Sequence, residues 1–236
     1  MEIRPRLKGN KLKAFLNLTK KENRILVIGD LHEPFCLDGY LEFCKETYSK
    51  YNCNKVIFIG DIIDNHYSSY HETDADGLGG SDELELAISK IEKWYKAFPN
   101  AIVTLGNHDI IISRKAQTGN IPTKWIKSYK EVLNVPNWDF VHKIDIDNVT
   151  YLHGIGSKAH IRCVKDMHSI VSGHHHTESY VIWKVGAKAK VFGMQVGCGI
   201  DKDAYAMAYG KWFPKPAIGC GVVLGGKIAI NELMEL

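Results

Sequence analysis

The sequence has no long hydrophobic run and no closely spaced pair of cysteines. No stretch approaches the roughly 18 apolar residues that span a membrane, and the N-terminus MEIRPRLKGN has no apolar signal-peptide core. The six cysteines are scattered and none belongs to a CxxC motif, which argues against a disulfide framework and against a thiolate zinc site. These absences predict a cytoplasmic chain without a membrane partner, whose cysteines are reduced core residues.

The overall charge bias is also small. The 236 residues include 30 basic and 27 acidic ones, for a formal net charge of +3, which is too little to indicate a polyanionic partner. Residues 1–24 form a basic N-terminal extension, which is either a solvated leader or an arm that contacts a polyanion. No repeat or composition break divides the rest, so we predict a single domain over residues 1–236.

Three short apolar segments end in glycine: RILVIGD, KVIFIGD and AIVTLGNHD. They are typical of buried strands whose carboxyl ends lead into functional loops. Amphipathic segments between them predict helices, the second with Ser81 as its N-cap. TYLHG, HSIVSGH, SYVIWKV, AKVFGMQVG and IGCGVVLGGKIAI predict five further strands, with a helix from Lys158 to Asp166. This pattern predicts an α/β fold with a layered, sandwich-like β arrangement flanked by helices.

Polar residues follow several of these predicted strands, in the motifs GDLH, GDIID, GNHD, YLHG and GHHH. Because ligands of open α/β sheets bind at the carboxyl ends of strands, these side chains should converge. The residues that these motifs supply are Asp30, His32, Asp61, Asp64, Asn107, His108, Asp109, His153, His174 and His176. Such carboxylate, amide and imidazole donors suit two metal ions that share a carboxylate, and favour manganese, iron, zinc, cobalt or nickel over calcium or magnesium.

The ordered motifs resemble the calcineurin-like metallophosphoesterases, whose pattern is DxH, GDxxD, GNH(D/E), His and GHxH. The resemblance covers residues 25–176, and the segment 180–236 is similar to phage-encoded members. The resemblance implies a four-layer α/β/β/α sandwich that binds two divalent transition-metal ions, with manganese favoured. It also implies a cytoplasmic location, in the cytoplasm of the host cell if the chain is phage-encoded. By this resemblance, Asp61 bridges the ions, Asp30, His32 and His176 hold one, and Asn107, His153 and His174 hold the other.

The resemblance also implies catalytic roles. His108 would protonate the leaving group, Asp109 would orient its imidazole, and the nucleophile would be a hydroxide that bridges the metals. Asp64 either contacts metal or forms a hydrogen bond within its loop. In GHHH, the first and third histidines should alternate toward the metals along an extended segment, which leaves His175 outside the ligand set.

Signals about the substrate are weaker. Protein phosphatases of this superfamily have Arg-Gly after GDxxD, whereas Asn65 and His66 follow here, which counts against that branch. Three groups are interpreted either as substrate contacts or as ordinary surface and core residues. They are the loop of residues 65–80 with His66, Tyr67, Tyr70 and His71; Lys158, His160 and Arg162; and Tyr205, Tyr209, Trp212 and Phe213.

The main hypothesis is a dinuclear metal-dependent phosphoric ester hydrolase, specifically a phosphodiesterase or nuclease acting on a nucleotide or nucleic acid. One alternative is a small-molecule phosphomonoesterase or pyrophosphohydrolase. An alternative of another class is a non-catalytic metal-containing module that binds nucleic acid.

Overall fold

The computed structural model describes residues 22–70, 73–206 and 215–235, which form two β-sheets and five α-helices. The strands are β1 (Arg24–Ile28), β2 (Lys55–Phe58), β3 (Ile102–Thr104), β4 (Asp139–Val141), β5 (Lys143–Ile146), β6 (Val149–Leu152), β7 (Ser169–Ser172), β8 (Tyr180–Val185), β9 (Lys190–Gln195), β10 (Gly219–Leu224) and β11 (Ile228–Leu233). The helices are α1 (Tyr40–Lys50), α2 (Gly80–Ala97), α3 (Ile111–Thr118), α4 (Tyr129–Val132) and α5 (Ala159–Asp166).

The strand order places the predicted functional loops side by side. The first sheet has the order β11-β10-β1-β2-β3-β4, in which β1 to β4 are parallel. The second sheet has the order β5-β6-β7-β9-β8, in which β6 and β7 are parallel neighbours. The carboxyl ends of β1, β2 and β3 therefore lie at one edge of the first sheet, and those of β6 and β7 lie at one edge of the second.

Three hydrophobic cores separate four layers. Side chains alternate along β1, so Ile25 and Val27 belong to the core between the two sheets, whereas the intervening Leu26 packs in the core shared with α1 and α2. A third, smaller core joins α5 to the outer face of the second sheet. The predicted four-layer α/β/β/α arrangement is confirmed.

Several local predictions differ from the structure. Helix α2 begins at Gly80 with Gly79 as its N-cap, and Ser81 is an exposed residue within its first turn. The segment IGCGVVLGGKIAI forms two strands rather than one, because Gly225 and Gly226 adopt positive φ angles of 54° and 68° in a tight turn. Strands β4 and β5 were not predicted, since they are short and half-exposed and have no apolar run.

Other predictions concern the cysteines and the chain start. All six cysteines are free and buried, as predicted. The basic extension lies mostly outside the described residues, and Arg24, its predicted last residue, is the first residue of β1. None of the described helices combines the length and apolarity needed to cross a membrane.

The core between the sheets is expected to dominate stability. Phe192 is fully buried there, with its ring centroid 5.0 Å from that of Trp183. We expect Phe192→Ala to lower the free energy of unfolding by about 3–5 kcal/mol, because it leaves a cavity that the two rigid sheets cannot close. Val185→Ala is the matched control at a position that is 75% exposed, where the loss should stay below about 0.5 kcal/mol. Urea unfolding measures both, and similar losses would contradict the assignment of this core.

Candidate metal centre

The loops after β1 and β2 are joined through their backbones. The N–H groups of Leu31 and His32 both donate to the carbonyl of Asp61, at 3.0 and 2.8 Å, and the N–H of Asp64 donates to the carbonyl of Glu33 at 3.0 Å. His32 and Asp61 adopt positive φ angles of 51° and 46°, a conformation that is costly for residues with a Cβ. The two loops are thus a single unit that holds its acidic and imidazole side chains in fixed positions.

The first donor set consists of Asp30, His32, Asp61 and His176, whose ligand atoms all lie within 4.8 Å of one another. His176 Nε2 is 3.0 Å from Asp30 Oδ2, and His32 Nε2 is 3.7 Å from Asp61 Oδ2. Four buried atoms in this set have no hydrogen-bond partner, namely Asp30 Oδ1, His32 Nε2, Asp61 Oδ2 and His176 Nε2. Unpaired buried polar atoms are costly, and a divalent cation would satisfy all four, so this set fits a metal ion.

The second donor set surrounds His153. Its Nε2 atom lies 3.1 Å from Asp61 Oδ2, 3.0 Å from Asn107 Oδ1 and 3.2 Å from His174 Nδ1. Its Nδ1 atom lies 3.0 Å from the carbonyl oxygen of Ile59, which can only accept a hydrogen bond. Nδ1 therefore carries a proton. Burial lowers the pKa of His153, but the carboxylates of Asp61 and Asp30 outweigh it and raise that pKa to about 10, so the Nε2 position attracts a cation, either a proton or a metal ion.

Asp61 belongs to both sets. Its Oδ1 atom accepts the backbone N–H of His108 at 2.8 Å, while its unpaired Oδ2 atom faces His32 and His153. Burial raises the pKa of the Asp61 carboxyl, but the surrounding imidazoles, His153 first, outweigh it and hold the pKa well below its usual value. This carboxylate is therefore charged and is shared by the two donor sets.

The GHHH segment is a turn. His174 has a φ of 73°, and the N–H of His175 donates to the carbonyl of Gly173 at 2.9 Å. The prediction of an extended segment with alternating side chains was therefore wrong, although His174 and His176 do lie in the two donor sets. His175 belongs to neither set, as expected.

The comparisons with known proteins agree with this geometry. The sequence model of the calcineurin-like phosphoesterase family matches residues 23–191. The chain belongs to this family. No curated protein matches it.

Three of the solved structures that are similar to this chain show that the similarity is distant. Vacuolar protein sorting 29 from Cryptosporidium parvum is 14% identical, with 91% of this chain and 99% of that one covered, at a TM-score of 0.46. The phosphoesterase Yfce from E. coli is 12% identical, with 84% and 87% covered, at 0.41. The nuclease MPE from Pseudomonas putida is 14% identical, with 86% and 84% covered, at 0.36. Likenesses this distant carry no inference about substrate.

Two motif glycines lie directly against the candidate ligands. A Cβ added at Gly173 would lie 2.2 Å from Asp30 Oδ1 and 2.6 Å from Ile59 Cγ2, and one added at Gly106 would lie 2.1 Å from Asp61 Oδ1. Because real Cβ atoms essentially never approach other atoms this closely, each added methyl group would displace the carboxylate from its donor set. These glycines are needed for the close approach of the loops.

Gly173→Ala is therefore expected to weaken metal binding by about 10–100-fold, the range seen when a residue that positions a ligand is altered. Isothermal titration with Mn²⁺ measures the affinity, and circular dichroism reports whether the fold persists. Gly186→Ala is the matched control, because the nearest atom to its added Cβ is 4.0 Å away. Unchanged manganese affinity in a folded Gly173→Ala protein would show that Asp30 does not bind the metal.

Asp64 holds the two histidines that flank Asp61. Its carboxylate pairs with His32 Nδ1, and its backbone carbonyl accepts a hydrogen bond from His108 Nδ1 at 2.7 Å. Burial lowers the pKa of His108, but Asp61 and Asp64 outweigh it and raise that pKa above its usual value. Both roles considered for Asp64 stay open, because it forms this hydrogen bond within the loops and also lies with His32 and His108 in a third group of side chains that could hold a metal ion.

Asp109 does not bond to the His108 imidazole, contrary to the expectation that it orients this ring. Its carboxylate accepts backbone N–H groups of Asp61 at 2.8 Å, Ile62 at 3.0 Å and Gly106 at 2.8 Å. The reason is that Asp109 lies in the turn after β3, beside two amides of the GDIID loop and the amide of Gly106, all of which need an acceptor. Asp109 therefore links the GDIID and GNHD loops.

Glu83 of α2 supports the loop after GDIID and was missed by the sequence reasoning. Its buried carboxylate accepts the N–H groups of His66 at 2.7 Å and Tyr67 at 3.2 Å, and burial raises its pKa to about 7. His66 Nε2 in turn accepts the N–H of Asp74 at 3.1 Å. The periodicity of α2 predicts that a glutamate lies on its exposed face. The sequence gives no sign of the loop amides that this carboxylate binds.

Most of the other residues that the sequence left as either substrate contacts or ordinary surface and core residues contact neighbouring side chains of the protein. Lys158 pairs with Glu178, and His160 Nδ1 lies 2.7 Å from the Tyr180 hydroxyl, which favours the ordinary helix-face interpretation. Tyr205 packs edge-on against Phe35, with ring centroids 4.9 Å apart. His71, Tyr209, Trp212 and Phe213 lie outside the described residues.

Proposed function

We propose that this calcineurin-like phosphoesterase hydrolyses phosphodiesters of nucleotides or nucleic acids with two divalent transition-metal ions, manganese favoured. The observation that carries the proposal is the pair of donor sets joined at Asp61, with the His108 imidazole beside them. When bound, the two ions supply positive charge that polarises the ester and lowers the pKa of water, which makes hydroxide available near neutral pH.

The chain's own residues would hold the ions in defined places. Asp61 lies between the sets, Asp30, His32 and His176 complete one, and Asn107, His153 and His174 complete the other. The Ile59 carbonyl fixes the His153 tautomer, and the Asp64 carboxylate does the same for His32. These second contacts direct the ligating nitrogens toward the ions.

His108 is the proposed general acid. Its Nδ1 atom is bound to the Asp64 carbonyl, and its Nε2 atom has no hydrogen-bond partner among the described residues. The backbone N–H of His108 is bound to Asp61 Oδ1, so the acid and the bridging carboxylate stay at a fixed separation. Nε2 can then donate a proton to the leaving oxygen as the P–O bond breaks.

The charges around the centre support a diester substrate. In the described part of the chain, no lysine or arginine forms an ion pair with Asp30, Asp61, Asp64 or Asp109. Asn65, which follows GDIID, uses its side-chain amide to bind the His108 carbonyl at 3.0 Å. A monoester phosphate at pH 7 carries more negative charge than a diester, and it gains no lysine or arginine from the ion pairs of these four carboxylates.

Hydrolysis of two nitrophenyl esters tests the proposal. Metal-stripped protein is resupplied with Mn, Ni, Co, Zn or Mg and assayed with bis-p-nitrophenyl phosphate and p-nitrophenyl phosphate. We expect metal-dependent release, with a higher kcat/KM for the diester. A preference for the monoester would instead establish the phosphomonoesterase alternative, and no release with any metal, while calorimetry shows metal bound, would count against an esterase.

A further inference from the structure

A basic segment follows the GNHD motif. Residues 110–130 contain five lysines and arginines and no acidic residue, whereas the rest of the chain has more acidic than basic residues. Lys130 pairs with Asp139 at 2.9 Å. The other four are Arg114, Lys115, Lys124 and Lys127, which are exposed and form no ion pair with any described residue. This part of the surface therefore carries four exposed cations that have no ion-pair partner among the described residues.

Exposed aromatic rings lie among these cations. Tyr70 is 57% exposed, and both Arg114 Cζ and Lys115 Nζ lie over its ring, 5.0 and 5.4 Å from the centroid. Trp125 is 82% exposed and stands in sequence between Lys124 and Lys127. A tryptophan so exposed contributes nothing to the core, whereas exposed rings among cations are what single-stranded nucleic acids stack upon.

Chain connectivity links these residues to the loops of the metal centre. Tyr70 directly follows the loop that Glu83 anchors, and α3, which carries Arg114, begins two residues after Asp109. The 3₁₀ turn Thr123–Trp125 packs on α3, where the chain is held by a hydrogen bond of 2.8 Å from the Ile121 N–H to the Ala116 carbonyl. A polymer bound along this segment would thus lie beside the candidate catalytic residues.

We propose that a basic–aromatic surface, defined by Tyr70, Arg114, Lys115, Lys124, Trp125 and Lys127, binds single-stranded nucleic acid next to the metal centre. This rests on the proposed function and specifies its substrate as a polymer. The cations pair with backbone phosphates, and the rings stack on bases without reading their sequence. An acidic protein segment would satisfy the cations but would leave Trp125 without a planar partner, so nucleic acid is the better match.

Binding of a hydrolysis-resistant oligonucleotide tests the surface apart from activity. The metal-loaded full chain is titrated into a fluorescein-labelled phosphorothioate oligothymidylate of about 20 nucleotides, longer than common single-strand sites. We expect Arg114→Ala/Lys115→Ala to raise the apparent Kd about tenfold and to reduce the salt dependence, since each lost phosphate contact lowers the slope by about 0.7. Lys188→Ala/Lys190→Ala is the matched control, because it also removes two exposed cations, one of which lies 4.4 Å from the Trp183 ring centroid.

Tryptophan fluorescence supplies a second readout. Oligothymidylate should quench the wild-type emission, and Trp125→Phe should reduce that quenching, because Trp125 is 82% exposed whereas Trp94 and Trp138 are buried and Trp183 is half-buried. Equal affinity of the two double variants, or equally tight binding of polyglutamate, would overturn the proposal.

Bis-p-nitrophenyl phosphate is too small to need this surface, so its turnover should be unchanged in Arg114→Ala/Lys115→Ala. If the wild type bound the oligothymidylate as expected but hydrolysed no ester, the proposed function would fail while the binding surface stood.

Discussion

Asp61→Asn is expected to abolish phosphodiester turnover and to release both metal ions together. Asp61 Oδ2 is the one ligand atom that faces His32 of the first donor set and His153 of the second. An amide in its place loses the negative charge that compensates two cations. Since metal ions contribute several kcal/mol to stabilising the transition state, kcat/KM should fall by at least about 10³-fold. Metal content after dialysis, by atomic absorption, and hydrolysis of bis-p-nitrophenyl phosphate measure the two effects.

Two control variants make this result specific to the bridge. Asp38→Asn removes an exposed carboxylate at the start of α1 and should leave metal content and turnover unchanged. Asp30→Asn alters a residue that belongs to the first donor set only, so it should remove one ion and leave the second bound. Loss of a single ion from Asp61→Asn, or retention of both, would show that Asp61 does not bridge.

The architecture was largely predictable, because buried parallel strands leave a strong signal. The segments RILVI, KVIF and IVT are apolar and β-branched, and each leads into a polar loop, so their positions and the convergence of their loops could be predicted. Strand β4 lacks that signal, since it has three residues and lies at the edge of the sheet. Its existence depends on pairing with β3, which only the folded chain reveals.

The candidate ligands could also be predicted, but the roles of their acidic neighbours could not. The structure brings all seven predicted ligands together, while their binding of metal stays a prediction. Asp109 was paired with His108 because they are adjacent in sequence. In the folded chain, the Asp64 carbonyl lies next to the His108 imidazole, because the backbones of the first two loops are paired. The Asp109 carboxylate accepts three backbone N–H groups instead. Such partners follow from loop geometry, which no motif encodes.

His108→Gln is expected to slow hydrolysis while both ions stay bound. Its imidazole is bonded to the Asp64 carbonyl and is not needed to complete either metal set of the proposed centre. General-acid catalysis is worth about 10²–10⁴-fold, and most when the leaving oxygen is strongly basic. Nitrophenolate leaves readily without a proton, whereas the sugar alkoxide of a dinucleotide does not. The loss in kcat should therefore be large for thymidylyl thymidine and small for bis-p-nitrophenyl phosphate.

The dependence on the leaving group separates a proton donor from a residue that only shapes the centre. If His108 merely held the loops, through its backbone and the Asp64 contact, both esters would slow by the same factor. Asn65→Ala is a suitable comparison, because it removes a side-chain bond to the His108 carbonyl without removing the imidazole. It should slow both substrates to a similar extent. Unchanged turnover of both esters in a metal-loaded His108→Gln protein would refute the general acid, whereas a metal-replete wild type with no turnover would favour the non-catalytic nucleic-acid-binding module.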